Sequence, residues 1–213
     1  MLYFIVTTCL FPETHPVRES QYRRCITRIL DLINTHLDKT FVKVIIVEGN
    51  GQRDTYLDSF VSDLTSVIYT TNNLLKLVNK GHTELLDVVE CIHRCHLQNY
   101  DFIVKLTGRY YIEDDSPLFN AIKDNLVTNQ YDCCIKYGSY QNTSDTPVRD
   151  CITGFIAMRT FFIKQIHTPK ETECVEWLWA SVSLDKINPQ RVLPITGRMG
   201  LSLCPASNDY FSI

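Results

Sequence analysis

Apolar and polar positions change period along the chain. Leu2 to Val6 form a continuous apolar run, the mark of a strand buried on both faces, and it closes on Thr7 and Thr8. After the proline-marked stretch TTCLFPETHP, Ile26, Ile29, Leu30, Ile33 and Leu37 recur at helical spacing and predict an amphipathic helix over roughly 17–37. FVKVIIVEGNG returns to a β-branched run, stopped by Gly49, Asn50 and Gly51. RDTYLDSFVSDL reads as a short helical stretch leading into the strand SVIYTT. GHTELLDVVECIHRCHLQ sets Leu85, Val88, Val89 and Ile92 on one helical face, and DFIVKL is a fourth strand ending on Thr107, Gly108 and Arg109.

Strands alternating with helical segments in this way call for right-handed crossovers. The expected fold class is therefore α/β, with a mixed, mostly parallel central sheet flanked by helices. Ligands in such sheets bind beyond the carboxyl ends of the strands. Thr7 and Thr8, Glu48 to Gly51, Thr70 to Asn73, and Thr107 to Arg109 all fall at those ends and should converge on one crevice. Beyond about residue 115 the pattern changes. YDCCIKYGSYQ and CITGFIAMRT read as strands around a polar loop, 139–150, and FFIKQIH and TECVEWLWASV read as helices. The expectation is one domain over 1–213, with a ligand-binding half to about 115 and an acceptor half from about 116. The ending LCPASNDYFSI has no helix stop or cap, as expected of a module within a longer chain.

Composition narrows the function. At 213 residues, 45% hydrophobic and 21% charged, the chain can bury a core without staples. A net charge of -3 gives no general pull toward nucleic acid, so no nucleic-acid partner is expected. The nine cysteines are irregularly spaced and read as reduced thiols of a cytoplasmic protein. MLYFIVTTCLF lacks a basic leader and is too short to span a bilayer, so it reads as a buried strand. Cys91, His93, Cys95 and His96 do not share one helical face and have no CxxC partner, which argues against zinc. GxGxxG, GxxxxGK[ST] and GxSxG are all absent, which argues against dinucleotide oxidoreductases, P-loop ATPases and hydrolases.

The order of short motifs carries a resemblance. FIVTT, VIIVEGN, NKGHTEL, DFIVKLTGRY, ITGFIAMRTFF and ECVEWLW follow one another as in the GT-A fold glycosyltransferases, over about residues 2–200. Within that fold the chain most resembles chlorovirus capsid-glycan glycosyltransferases, where NKG and KLTGRY recur. That resemblance implies transfer of a sugar, L-rhamnose in that group, from a UDP-sugar donor to an oligosaccharide or glycoprotein acceptor. It implies that Thr7 and Thr8 sit beside base and ribose, Glu48 and Asn50 at the strand-two turn, and Asn79, Lys80 and Gly81 where a helix start meets the donor. Asn79 and Gly81 also read as turn and cap residues. Lys80 is less expected, since a cation at a helix N-terminus is unfavourable without a nearby anion.

Most GT-A enzymes place a D-x-D after the fourth strand to hold a divalent cation on the diphosphate. Thr107, Gly108 and Arg109 occupy that slot here. Arg109 could stabilise the leaving diphosphate directly, with Gly108 admitting it to the backbone. Alternatively Asp114 and Asp115, with Glu113, could hold a displaced Mn2+ or Mg2+, or one of these aspartates could cap a helix over 118–125. Arg18 and Arg198 are further phosphate candidates. Inverting transfer needs a carboxylate base. Glu176, then Glu173, three apart in TECVEW, are the candidates, with Trp177, Trp179 and Tyr140 as aromatic surfaces for a sugar. Two rivals stand beside a glycosyltransferase: a sugar nucleotidyltransferase, and a catalytically silent nucleotide-sugar-binding module.

Overall fold

The computed structural model describes residues 1–10, 16–75, 77, 79–203 and 211–212. Four parallel strands build the first half: β1 (Leu2–Thr8), β2 (Val42–Glu48), β3 (Thr65–Tyr69) and β4 (Phe102–Thr107). They are linked by α1 (Pro16–His36) and α2 (Lys80–Arg94), while β2 and β3 are joined by a single 3-10 turn, Tyr56–Phe60, where a helix was expected. Thr55 caps the start of that turn and Asp58 closes the capping box, and the segment ends after five residues at Val61, which is already extended.

The second half contributes β5 (Tyr110–Ile112), α3 (Pro117–Thr128), β6 (Cys133–Ile135), β7 (Tyr137–Gly138), β8 (Thr143–Ser144) and β9 (Phe155–Arg159). Then come α4 (Thr160–Ile163), α5 (Val175–Asp185), β10 (Val192–Pro194), β11 (Leu201–Leu203) and β12 (Phe211–Ser212). The main sheet has the order β10-β6-β9-β4-β1-β2-β3. Only β9 runs against its neighbours, so the sheet is mixed and mostly parallel, as expected. The expected polar loop 139–150 in fact begins as the β7/β8 hairpin, and β5, β11 and β12 form a small sheet of their own.

Period-two alternation sorts the strand side chains into two cores. Phe4, Val6, Val44, Ile46, Val104 and Leu106 face Ile26, Ile29 and Ile33 of α1 and Ile122 of α3. Ile5, Ile45, Val47, Ile103, Ile156 and Met158 face Val88 and Ile92 of α2 and Val175 and Trp179 of α5. Three layers result, helix on sheet on helix.

The helix starts fix the edge where a ligand would lie. Asn79 caps α2 by accepting from the Gly81 amide at 2.8 Å. Gly81 is needed for packing, because a Cβ there would fall 2.3 Å from Val175 Cγ1 on α5. The N-termini of α2 and α5 are thus clamped together, with His82 Nε2 also 2.7 Å from the Glu173 carbonyl oxygen.

This clamp predicts a measurable coupling. Gly81→Ala should lower stability by roughly 1–3 kcal/mol through overpacking, read as a drop in Tm. In the double variant Gly81→Ala/Val175→Ala the loss should be smaller than the sum of the two single losses. Additive losses would place the clamp elsewhere.

Candidate active site

The strand ends meet as the pattern predicts. Thr7 pairs with Val47 on one side and Thr107 on the other, and Thr8 pairs with Glu48. Beyond β4 the chain turns at once, and the Gly108 amide donates back to the Thr7 carbonyl at 2.8 Å. Gly108 is dictated by close packing, since a Cβ there would lie 2.9 Å from the Tyr22 ring and 3.1 Å from Thr8 Cγ2. Because β9 is antiparallel, it brings its entry turn to the same edge, where the Thr107 amide donates to the Gly154 carbonyl at 2.8 Å.

Thr7, Thr8, Asn73, Lys80, Thr83, Glu84 and Asp87 line a narrow slot of about 40 Å³ on this edge, with Cys9 and Tyr22. The roomier grooves lie elsewhere; one of about 780 Å³ runs along α1 beside Tyr111. Its lining includes three arginines, Glu19 and Asp31, but none of the strand ends, so the slot and not the groove follows from the fold's ligand-binding edge.

Glu48 is completely buried and faces inward. Its carboxylate accepts from Thr8 Oγ1 at 2.8 Å, the Leu10 amide at 3.0 Å, the Asn50 amide at 3.2 Å and Asn50 Nδ2 at 3.0 Å, and it pairs with Arg53 at 3.2 Å. Glu48 and Asn50 therefore join the β1 and β2 exits to each other. Asp87, also buried, accepts from Thr70 and Asn72 on the β3 exit. Burial pushes its carboxyl up to about 6, against those two hydrogen bonds and with a further push from Glu84 and Glu90.

Two cations face this edge without a partner. Lys80, the first residue of α2, is exposed, and neither its ammonium nor the guanidinium of Arg109 makes an ion pair or hydrogen bond among the described residues. Arg109 is close enough to oppose the upward push that burial gives the Tyr22 phenol.

A second, internal network went unread in the sequence. Lys105, buried in β4, donates to Glu84 of α2, to Thr107 Oγ1 at 2.9 Å and to the Thr153 carbonyl at 2.7 Å. Thr107 Oγ1 in turn donates to Glu84 Oε2 at 2.7 Å. Thr153 Oγ1 then reaches Glu176 Oε1 at 3.4 Å. The signal in the sequence was a single lysine inside the otherwise apolar DFIVKL.

Glu176 stands in the first turn of α5, half-buried, with Thr153 Oγ1 and Cys174 Sγ donating to its carboxylate. Glu173 does not share its helical face, as the three-residue spacing suggested. The helix begins only after Cys174, and Glu173 closes the preceding turn, accepting from the Lys170 amide at 2.7 Å and pairing with His167 at 2.9 Å. These partners hold its carboxyl below the usual range. Trp179 is core, whereas Trp177 is 57% exposed beside Glu176. Tyr140 is partly exposed, and its hydroxyl meets that of Tyr110.

The carboxylates after β5 are engaged. Asp114 pairs with Arg28 of α1, and Arg198 pairs with Glu113 and, at 3.8 Å, with Asp115. Neither aspartate caps α3; Ser116 does, accepting from the Phe119 amide at 3.3 Å. Among the described residues no group of three His, Cys, Asp or Glu side chains is placed to hold a metal. The Thr107, Gly108 and Arg109 turn offers a hydroxyl and a cation where a divalent ion needs carboxylates, so this donor set does not fit one.

No family model matches the chain, and no curated protein sequence does. Solved structures do match. A mannosyltransferase from Pyrobaculum calidifontis, in complex with GDP-Man and Mn2+, superposes with a TM-score of 0.58 at 10% identity, over 91% of this chain and 54% of that one. S. aureus TarS 1-349, in complex with UDP-GlcNAc, gives 0.58 at 13% identity, over 94% and 57%. A 4-diphosphocytidyl-2C-methyl-D-erythritol synthase gives 0.52 at 12% identity, over 97% and 94%. The chain thus spans just over half the length of the two glycosyltransferases. At these identities the likeness establishes the fold, which is that of the GT-A-like nucleotide-sugar transferases.

Asp87 gives the site a pH signature. Its carboxyl is raised in the fold, so its contribution favours the native state in acid and is lost as pH rises from the unfolded value, 3.8, through about 6. Asp87→Asn should therefore flatten the stability profile between pH 4 and 7, removing a decline on the order of 3 kcal/mol. Denaturant melts at both ends of that range measure it; parallel profiles would contradict the shift.

Proposed function

We propose that this chain is a nucleotide-sugar-dependent glycosyltransferase, moving a sugar from a UDP-sugar to a glycan hydroxyl with inversion. The reading rests on one juxtaposition. Lys80 at the start of α2 lines the slot, Arg109 follows directly on the β4 exit, and Glu176 of the other half reaches the Thr153 turn beside it.

The donor would lie across the slot, which is smaller than a nucleotide. Base and ribose would rest near Thr7 and Thr8, with Asn79 and Gly81 shaping the helix start above them. The diphosphate would meet Lys80 and Arg109 beside the α2 N-terminus, whose helix dipole favours an anion. In the reaction the acceptor oxygen forms a bond to the anomeric carbon as the bond to the diphosphate breaks. Glu176 takes the acceptor proton, and the charge on departing UDP is met by Arg109 and Lys80. A divalent ion at Asp114 and Asp115 would compete with Arg28 and Arg198 for their oxygens.

The resemblance to capsid-glycan transferases makes UDP-L-rhamnose the first donor to test and a glycoprotein oligosaccharide the first acceptor class. The eight described cysteines are all free thiols, in keeping with a reducing compartment such as the cytoplasm. No described helix is long and apolar enough to cross a membrane.

A sugar nucleotidyltransferase is the second reading, favoured by the near full-length match to the erythritol synthase. Against it, TTCLFPETHP has no glycine to wrap a triphosphate after β1.

UDP release from a panel of UDP-sugars, with and without manganese, separates the two from each other and from a silent binding module. Arg109→Ala should lower kcat about 10²-fold or more, and Glu176→Gln by a similar factor, with Tm unchanged. Nucleotide binding without turnover would sink the enzyme reading. Pyrophosphate release from UTP and a sugar 1-phosphate would establish the alternative.

A further inference from the structure

Glu84 is the one carboxylate of the slot whose charge is matched by a buried cation. It sits on α2, four residues beyond Lys80, with 28% of its side chain exposed to the crevice, whereas its partner Lys105 is only 3% exposed. Its Oε2 takes both internal donors, Lys105 Nζ and Thr107 Oγ1. Its Oε1 has no hydrogen-bond partner among the described residues. A carboxylate so arranged cannot swing away, since the ammonium beneath it is itself tied to Thr107 and to the Thr153 carbonyl. What it presents outward is a fixed, charged acceptor of hydrogen bonds.

Position decides what would meet that acceptor. Base and ribose would lie toward β1, β2 and β3, but Glu84 is wired the other way, through Lys105 and Thr153 to Glu176. Thr153, which takes Lys105 on its carbonyl and reaches Glu176 with its hydroxyl, sets this edge at the boundary of the halves. In a nucleotide sugar the groups there are the hydroxyls of the sugar being transferred. Each is a hydrogen-bond donor, the complement of a bare carboxylate oxygen.

We infer that Glu84 is a specificity residue for the transferred sugar, accepting a hydrogen bond from one of its hydroxyls through Oε1, and that Lys105 is the positioning residue that holds it there. The assignment rests on the glycosyltransferase reading. It adds a role for a carboxylate at the mouth of a diphosphate site, where an unmatched negative charge would repel the donor. Lys105 cancels that charge from below.

Glu84→Gln tests this with little change of shape. The glutamine carbonyl can still face Lys105, while its NH₂ turns the outward acceptor into a donor. Calorimetry on the full chain would use UDP, UDP-glucose, UDP-galactose, UDP-rhamnose and UDP-GlcNAc, each with and without manganese, with Tm as the folding control. For the sugar nucleotide that the wild type binds best relative to UDP, Glu84→Gln should weaken binding about ten-fold while UDP itself changes less than about two-fold. Glu84→Asp should fall between, and Lys105→Met should shift the same ratio in the same direction. Parallel weakening of UDP and sugar nucleotide, or no change in either, overturns the assignment. So does a manganese-dependent UDP affinity that disappears in Glu84→Gln, which would make Glu84 a metal ligand. If the wild type binds none of the panel, the glycosyltransferase reading itself fails, and the assignment with it.

Discussion

The molecule depends on one buried negative charge. Glu48 ends β2 with no exposed surface, and a carboxylate so placed is tolerated only if donors surround it. They come from three segments: Thr8 at the end of β1, Leu10 just past it, and Asn50 with Arg53 after β2. The interaction therefore works as a tie between the exits of two central strands. Every ligand contact proposed for Thr7 and Thr8 presumes that tie. It also explains why Glu48 and Asn50, plausible as ligand contacts in the sequence, turn inward.

The second constraint is Lys105, and the two charges divide the site between them. Glu48 fixes the exits of β1 and β2 by gathering donors, and Lys105 fixes the edge toward the second half by gathering acceptors from α2, β4 and the turn before β9. Each charge is matched internally, and what remains unpaired lies at the surface. Lys80 and Arg109 are left as cations, and one oxygen of Glu84 is left as an acceptor. On the proposed reading, a site that gives an arginine where a carboxylate pair would hold a metal needs its positive charge from side chains, and these two would supply it.

Much of this was legible in the sequence, and what was not has physical causes. The long elements declared themselves through period, and the strand ends followed from topology. Three-residue strands have no period to read, and β5 finds its partner β11 some ninety residues later. Glu173 was misplaced because spacing implies a shared face only inside a helix, and the side chain of Glu173 itself binds the Lys170 amide and delays the helix. Gly81 reads as a turn or cap residue and Gly108 as an opening for a diphosphate, yet each is small because another side chain, Val175 or Tyr22, presses on its Cα. Such close approach is a tertiary fact that no local pattern carries. Lys105 was visible but mute, since nothing in DFIVKL says that α2 will lay a glutamate over it.

The reversal at β9 is what makes the two halves one site. A parallel strand in that place would present its carboxyl end here and keep its entry turn at the far edge. Because β9 runs against β4, that entry turn, Thr153 and Gly154, arrives beside Thr107 instead. Thr153 then has both a carbonyl for Lys105 and a hydroxyl for Glu176 within reach. Gly154 is held under the hydroxyls of Tyr110 and Tyr140, where a Cβ would come within 2.6 Å of each. One change of strand direction thus carries the charge network of the first half to the base proposed in the second.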